Sequence, residues 1–357
     1  MDRSTWVEID VSALRHNFSF VSAHAGVPVC AVVKANGYGH GLVIAARAFA
    51  RDAAMLAVTR IEEARTLRDA GIDARILILA PVTDPQEAGK LDCEVSIGST
   101  DQVTSIPSGA RAHLIVDTGM GRLGVRPTEM VEAARAVAAR ATLQSVWTHF
   151  ADAAGRSGNV QLQRFAGMAA ALRAAGITVP LHASNSAATL ALPGARFDMV
   201  RVGTLLYGQD PPGVHAPWAP RDPFAWYARV VAMRTIPSGS TVGYGSEWRA
   251  KRPTRVATLP VGYADGFLLE PSARTESVRE SARAAARVAA RATGIRESPR
   301  AVFFGDVRAP VVGRIGMQLV TVDVEGIPDV KEGSVARVPA RRLLVNPVIE
   351  RVTVGDG

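Results

Sequence analysis

The chain has 357 residues, 48% of them apolar, which is enough for a sizeable core and for two domains, or for one large domain with an extension. The segment Ser272–Arg300, with seven arginines against three glutamates, carries half of the net charge of +8; its arginines stand among alanines rather than aromatic residues, so nucleic-acid binding is not favoured. No apolar run is long enough to span a membrane and no signal peptide opens the chain, which together predict a cytoplasmic location.

Short apolar runs alternate with amphipathic stretches from residue 28 to about residue 205. The runs predict strands at residues 28–33, 56–59, 75–80, 93–98, 112–117, 143–150, 179–184 and 198–203. Their apolar character is nearly continuous, which is typical of strands covered on both faces. Two of the intervening amphipathic stretches, 61–72 and 161–177, end in Ala-Gly-Ile, a helix stop before the next strand. Eight such units predict an α/β fold, a TIM-like (β/α)8 barrel; a doubly wound sheet is the competing architecture.

The sequence changes character after about residue 225. Residues of β-forming types, punctuated by glycine and proline, occupy 226–237, 254–263, 311–324 and 333–340. They predict a mostly β C-terminal domain that follows the barrel. An alanine-rich stretch inside it, about residues 270–299, predicts a helical insertion with one basic face, formed by Arg279, Arg283, Arg287 and Arg291. That face is either simply solvated or placed over an active-site mouth or a partner.

Polar groups collect where the predicted strands end, and a barrel builds its active site at those ends. They are Lys34, Arg122, His149, Asn185, Ser186, Arg201, Gly203 and Thr204. Singly, each has an ordinary explanation, such as a turn or an ion pair. As a set, hydroxyl and amide donors beside a Gly-Thr step near the last two strands indicate a phosphate cradle facing a lysine. Pyridoxal phosphate (PLP), which joins a lysine through a Schiff base, needs both.

One motif connects this lysine to a known family. AVVKANGYGHG, residues 31–41, resembles the cofactor-lysine motif of the alanine racemases, the barrel-type PLP-dependent amino-acid racemases. Further motifs resemble that family in its order: TWVEIDVSALRHN before the lysine, then VDTGMGRLGV, THFADA, HASNSAA, MVRVGTLLYG, LPVGYADG and APVVGRIGM. The resemblance covers nearly the whole chain. It implies a PLP-binding barrel over residues 11–225, a β-rich domain over 226–357 with which residues 1–10 pack as a strand, and a homodimer.

The resemblance also implies a role for each residue of the predicted site. Lys34 would hold PLP and act as one catalytic base, and Tyr263, reaching the partner subunit's site, would act as the other. Proton removal on one face and return on the other would interconvert L- and D-alanine, or the enantiomers of a related, larger amino acid. His149 would tune the phenol, and Arg201, which holds its proton firmly, would keep the pyridine nitrogen unprotonated. The other implied contacts are Tyr38, Asn185, Ser186, Gly203 and Thr204 for the cofactor and Arg122, Met317 and Gln318 for the substrate; no metal is implied.

Four positions depart from the family's pattern, all of them near the substrate. Ile115 stands where many members carry a carbamylated lysine that orients Arg122. Gly316 and Gln318 lie in a motif that usually has a larger residue and an aspartate, and Thr353 aligns with a tyrosine at the substrate entrance. The lost carboxylate and the smaller residue indicate a roomier pocket, and hence a substrate larger than alanine.

Three alternatives stay open at this point. The chain is an alanine racemase of ordinary specificity, a homologue diverted to decarboxylation, retro-aldol cleavage or epimerisation of a specialised precursor, or a non-catalytic PLP-binding protein. The presence of Tyr263 opposite Lys34 argues against the second alternative, because two bases serve proton transfer on two faces. The presence of His149 and Arg201 as well argues against the third.

Overall fold

The computed structural model describes residues 3–269 and 300–355 and divides the chain into two compact units. One comprises the residues up to Ile9 together with Phe224–Val352, and the other Asp10–Pro223 together with the residues from Thr353 onwards. The predicted helical insertion, about residues 270–299, lies outside the described residues. The predicted domain boundaries stay a prediction, since compactness alone does not show that either part folds by itself.

The unit that begins at Asp10 is a parallel barrel. Strand β1 (Thr5–Asp10) precedes it, and its own strands are β2 (Val29–Val32), β3 (Met55–Val58), β4 (Ile76–Ile78), β5 (Glu94–Ile97), β6 (Arg111–Ile115), β7 (Thr142–Trp147), β8 (Leu181–His182) and β9 (Val200–Val202). Each overlaps one strand that the sequence predicts. Within the described residues their order is β8-β7-β6-β5-β4-β3-β2-β9, and a parallel bridge between His182 and Met199 links the two ends. This near-closure confirms the predicted barrel and excludes a doubly wound sheet.

Helices connect the barrel strands. They are α1 (Val11–Ala25), α2 (Lys34–Tyr38), α3 (Leu42–Phe49), α4 (Ile61–Asp69), α5 (Pro85–Lys90), α6 (Thr100–Ser105), α7 (Met130–Arg140), α8 (Arg156–Ala174) and α9 (Ser186–Ala191), with 3-10 turns at Pro127–Glu129, Pro193–Ala195 and Thr204–Tyr207. The predicted helix stops are present, since Gly71 and Gly176 have φ of 74° and 73°, which glycine adopts without strain. Of the helices that the structure describes, none combines the length and the apolar surface needed to span a bilayer.

The barrel interior has an apolar half and a polar half. Positions two residues apart on β2, β3 and β4 form an apolar cluster of Cys30, Val32, Met55, Ala57 and Leu77. Burial of a side chain such as Leu77 stabilises the fold by about 1.5–3 kcal/mol. On β5 to β8 the buried residues include Glu94, Ser96, His113, Ser145 and His182, none more than 2% exposed. Polar groups this deep are usually hydrogen-bonded; apart from Ser96, these residues are joined by hydrogen bonds that lead towards the site.

The other unit is mostly β, as the sequence predicts for the C-terminal part. Besides β1 its strands are β10 (Phe224–Arg229), β11 (Ala232–Ile236), β12 (Thr241–Val242), β13 (Trp248–Arg249), β14 (Thr254–Leu259), β15 (Ala301–Phe304), β16 (Val307–Val312), β17 (Val320–Asp323), β18 (Val335–Val338) and β19 (Arg351–Val354), with 3-10 turns at Tyr244–Ser246, Tyr263–Asp265 and Arg342–Leu344. In the described part of this unit one sheet has the order β11-β14-β17-β16-β15-β18-β10-β1-β19, and β12 pairs with β13. Strand β1 lies antiparallel to β10, with Trp6 opposite Tyr227. The N-terminal segment is therefore a strand of this β unit.

Candidate active site

The barrel strands converge at their carboxyl ends on a cavity of about 610 Å³. Parallel strands bring their last residues to one edge, so side chains far apart in sequence meet there. The predicted site residues that line the cavity are Lys34, Tyr38, Arg122, His149, Asn185, Ser186, Arg201, Gly203 and Thr204. The structure thus brings together every site residue that the sequence predicts within the barrel.

Lys34 follows β2 after one residue, Val33, and opens α2, which is a left-handed turn. The four residues that follow the lysine, 35–38, all have φ between 53° and 60°. Three of them carry a Cβ, which the left-handed region accommodates only at an energetic cost. Two side chains hold the turn: Glu63 Oε1 accepts from the amide of Ala35 at 2.6 Å, and Asn36 Oδ1 accepts from the amide of Leu42 at 3.0 Å. The chain therefore turns back beside the cavity immediately after the lysine.

Positive charge surrounds the lysine. Burial, reinforced by the charge of Arg122, lowers the pKa of Lys34, so its amine is more easily neutral and nucleophilic. Burial and the charges of Arg201, Arg122 and Lys34 lower the pKa of His149 to about 3, so its imidazole is neutral at neutral pH. Its Nε2 lies 3.4 Å from Asn185 Nδ2. A cavity with these charges favours an anionic ligand.

Arg201, 4% exposed, lines the cavity from β9. Its Nη1 donates to Nδ1 and to the carbonyl oxygen of His182 at 2.6 and 3.1 Å, and its Nη2 donates to the carbonyl oxygens of Thr148 and Ala183 at 2.6 and 3.3 Å. Its guanidinium lies over Trp147, with Cζ 4.4 Å from the ring centroid. No described residue accepts from Nε, so one N–H is left for a ligand. Burial lowers the pKa of Arg201 to about 10, which still keeps it charged at neutral pH.

Hydroxyl and backbone donors meet at Gly203. A Cβ on this glycine would lie 2.2 Å from Tyr38 Oη, so the phenol reaches the backbone only because a side chain is missing there. The amide of Gly203 donates to Ser186 Oγ at 3.2 Å, and Thr204 begins a 3-10 turn at the same point. The ring of Tyr38 stacks on Tyr207 with 4.7 Å between centroids, which fixes its hydroxyl. This cradle, formed by Tyr38, Ser186, Gly203 and Thr204, fits a phosphate group.

Arg122 lies on an exposed loop after β6. Asp117 holds that loop, because its Oδ1 accepts from the amides of Gly119 and Met120 at 2.9 and 2.8 Å. Among the described residues, Arg122 has neither a hydrogen-bond nor an ion-pair partner, and the buried Ile115 cannot supply one. The guanidinium is therefore available to a carboxylate of a ligand, without an acidic protein group to orient it.

The remaining predicted site residues, Tyr263, Met317 and Gln318, lie in the β unit. The amide of Tyr263 donates to the carbonyl oxygen of Gly316 at 3.2 Å, and the amide of Ala264 donates to that of Met317 at 3.0 Å. Tyr263 and Met317 are 47% and 61% exposed. The structure therefore brings these two residues next to each other within the β unit, with both side chains at its surface.

Two residues of the site, Glu63 and Trp147, are not predicted from the sequence. Glu63 lies in the first turn of α4, and its Oε2 accepts from the amides of Thr59 and Arg60 at 2.9 and 3.1 Å. One carboxylate therefore caps the helix and also holds the left-handed turn. The available signal is its helix-capping position after a strand. The signal for Trp147 is its place two residues before His149, which puts both side chains on one face of an extended segment.

Two protein-family models match the chain: "Alanine racemase, N-terminal domain" over residues 9–211 and "Alanine racemase, C-terminal domain" over residues 224–345. An alanine racemase of Desulfovibrio desulfuricans is 36% identical over 352 residues, which cover 93% of this chain and 88% of that protein. An alanine racemase of Symbiobacterium thermophilum is 38% identical over 284 residues, covering 74% of this chain and 75% of that protein.

Solved structures show the same similarity. The alanine racemase of the D-cycloserine-producing Streptomyces lavendulae matches with a TM-score of 0.81 at 29% identity, covering 100% of this chain and 98% of that one. The alanine racemase of Streptomyces coelicolor also matches with a TM-score of 0.81, at 28% identity, covering 99% of this chain and 98% of that one. The similarity therefore extends over nearly the full length of the sequence.

Proposed function

This chain belongs to the alanine racemase family, which is PLP-dependent, and from that premise we propose that it interconverts the L- and D-forms of alanine or of a related, larger amino acid. The observation that carries the proposal is one cavity lined by Lys34, with its lowered pKa, by the phosphate cradle, and by Arg201, whose Nε–H has no acceptor among the described residues. These groups fit PLP, because they offer an amine for its aldehyde, donors for its phosphate and a cation for its ring nitrogen. When bound, PLP supplies an electron sink that acidifies the α-C–H bond of an attached amino acid.

Lys34 has two tasks in this proposal. It would hold the cofactor through its amine, and the lowered pKa makes the neutral, nucleophilic form of that amine easier to reach. With a substrate bound, Nζ of Lys34 would remove or return the α-proton on one face of that substrate. The left-handed turn supports this role, since it would hold the backbone in place while the Lys34 side chain passes from the cofactor to the α-proton.

Racemisation needs a second proton-transfer group on the opposite face, and the partner subunit's Tyr263 in a homodimer is our candidate. Within one chain this phenol is 47% exposed, and its turn is fastened to the Gly316–Met317 loop, so it is both available and fixed. A phenol needs assistance to act as a base at neutral pH. His149, neutral because its pKa is about 3, is able to accept a hydrogen bond from the phenol without adding positive charge.

Arg201 acts on the ring of the cofactor rather than on the substrate. Its four hydrogen bonds and its contact with Trp147 fix the side chain, and the remaining Nε–H would point at the pyridine nitrogen. With a pKa of about 10, the guanidinium would keep its proton at neutral pH and would leave the ring nitrogen unprotonated. Arg201 would thereby make the ring a weaker electron sink and limit side reactions such as transamination.

Arg122 would bind the substrate carboxylate. The partner subunit, which would bring Tyr263, would also bring the backbone amide of Met317 with Gln318 beside it. Ile115 gives the cavity an apolar wall, and Gly316 leaves the position before Met317 without a side chain. These two features favour a side chain larger than the methyl group of alanine. We therefore propose a substrate range that includes bulkier apolar amino acids.

Incubation of the PLP-loaded protein with a panel of L-amino acids in D2O should exchange the α-proton and yield the D-enantiomer for one or a few of them. NMR follows the exchange and chiral chromatography follows the product. Because Ile115 is apolar and Gly316 small, kcat/KM for a bulkier apolar amino acid should equal or exceed that for alanine. A clear preference for alanine would refute the larger substrate, and an absence of exchange with every amino acid would refute the racemase itself.

Replacement of Gly203 by alanine should weaken PLP binding by about 5- to 150-fold. The added Cβ would lie 2.2 Å from Tyr38 Oη and would push the phenol out of the phosphate cradle. Absorbance titration of the PLP-free protein measures the Kd. Gly194→Ala is the matched control, because its Cβ would come no closer than 3.7 Å to Leu162, an ordinary contact. An unchanged Kd in the Gly203→Ala protein would place the phosphate elsewhere.

A further inference from the structure

A row of buried side chains crosses the barrel from its amino end to the cavity. Glu94 begins β5, and its Oε2 lies 2.7 Å from His113 Nε2; His113 Nδ1 lies 2.6 Å from Ser145 Oγ. Ser145 Oγ lies 2.7 Å from His182 Nε2, and His182 Nδ1 lies 2.6 Å from Arg201 Nη1. None of the five is more than 4% exposed. We call these residues the relay; its first four members have no role in the proposed function.

The direction of every hydrogen bond in the relay is fixed by its two ends. A guanidinium only donates, so Nδ1 of His182 is an acceptor and its proton is on Nε2. That proton goes to Ser145 Oγ, whose own proton goes to Nδ1 of His113. The Nε2 proton of His113 then goes to the carboxylate of Glu94, which only accepts. A proton added to either histidine would break one of these bonds, and burial lowers the pKa of both.

The relay links a buried cation to a remote anion. Arg201 donates only to neutral acceptors, and no carboxylate among the described residues hydrogen-bonds to it. The first carboxylate along its hydrogen bonds is Glu94, three neutral groups away. At the far end Arg75, whose side chain is half exposed, donates twice to Glu94 at 2.7 and 2.9 Å. A carboxylate hydrogen-bonded directly to Arg201 would occupy N–H groups of the guanidinium that the ligand needs. The relay instead leaves Nε–H available.

We propose that Glu94 is a positioning residue that acts on Arg201 through His113, Ser145 and His182, supplying a counter-charge that holds the guanidinium in place while its Nε–H faces the ring of the cofactor. This inference rests on the proposed function for the task of Arg201. The relay itself is a property of the barrel, and it has readouts that do not depend on racemisation. Chains of polarised hydrogen bonds act as units, so their members should not act independently.

A double-mutant cycle tests the proposal. In PLP-loaded protein, Glu94→Gln and Ser145→Ala should each lower kcat by about 3- to 30-fold with a smaller change in KM, and each should shift the absorbance of the bound cofactor. The kcat of the double variant should lie within about twofold of that of the slower single variant, because either substitution alone already interrupts the relay. Ser96→Ala is the matched control: Ser96 is 1% exposed in the same barrel and its Oγ has no hydrogen-bond partner in the described structure.

Multiplying effects in the double variant, or wild-type kcat and absorbance in Glu94→Gln, would overturn the proposal. A separate measurement guards against variants that fail to fold: 15N NMR of histidine-labelled wild-type protein should show Nε2–H and bare Nδ1 for both His113 and His182. An Nδ1–H on either would contradict the relay. If no amino acid is racemised, the proposed function fails, while the absorbance and NMR results still decide for or against the relay.

Discussion

Replacement of Lys34 by alanine should lower kcat/KM for racemisation by more than about 10⁴-fold. The substitution removes the amine that, in the proposed mechanism, would both hold the cofactor and move the α-proton on one face. No neighbour replaces it, because the other cations of the cavity, Arg122 and Arg201, are guanidinium groups that neither attack an aldehyde nor accept a proton at neutral pH. The assays are α-proton exchange in D2O and chiral analysis of the product.

The matched control is Lys90→Ala, which removes an exposed lysine from α5 of the same barrel and should leave kcat/KM unchanged. A Lys34→Ala protein with more than about one hundredth of the wild-type rate would show that another group carries the chemistry. A Lys34→Ala protein that has no activity yet keeps its full biological function would support a non-catalytic role.

Replacement of Tyr263 by phenylalanine should lower racemisation by about 10²- to 10⁴-fold while leaving the fold intact, because only a hydroxyl is removed. The loss should be one-sided. Lys34 still serves its own face, so one enantiomer should keep exchanging its α-proton with D2O without turning into the other. Tyr244→Phe is the control, since Tyr244 is 74% exposed in the same unit. Equal loss of exchange for both enantiomers would contradict the two-base assignment.

The Lys34→Ala and Tyr263→Phe variants together show whether Tyr263 acts in the site of its own chain or in the site of its partner. If it serves the partner, a mixed dimer of Lys34→Ala and Tyr263→Phe chains has one site with both groups intact. Random mixing of the two inactive proteins should then restore about a quarter of the wild-type activity. If Tyr263 served its own chain, every site in the mixture would lack one base, and activity would not return.

The barrel was accessible from sequence because its strands are buried on both faces. A short apolar run such as Ile76–Ile78 with its apolar neighbours is typical of a central strand. Gly71 before it marks the end of the preceding helix. The site residues of the barrel followed from one topological rule, that parallel strands deliver their last side chains to a common edge. Lys34 and Arg201 are more than 160 residues apart, yet that rule alone places them in one cavity.

What the sequence did not predict depends on partners distant in the chain. The Asn-Gly pair at residues 36–37 indicates a turn, but the left-handed geometry of Ala35 and Tyr38 depends on Glu63, 28 residues away from Ala35. The sequence does carry one signal for the relay. Glu94 and His113 are polar residues inside apolar strands, where an unpaired polar group would be costly. Their pairing becomes visible only when the strands are set side by side. The assignment of Tyr263 to a second copy stays a prediction until the mixed dimer is measured.

The left-handed turn after Lys34 also bears on how much of this protein persists in a cell. Three residues with a Cβ in that region cost about 1–2 kcal/mol each, and the turn is held by Glu63, Asn36 and the stacking of Tyr38. A ligand bound at both Lys34 and Tyr38 would secure the two ends of the turn and add its binding free energy to the native state alone. The cofactor-free protein would then open this segment more often, and proteases act on opened segments. Its abundance would therefore follow the supply of the vitamin from which the cofactor is made.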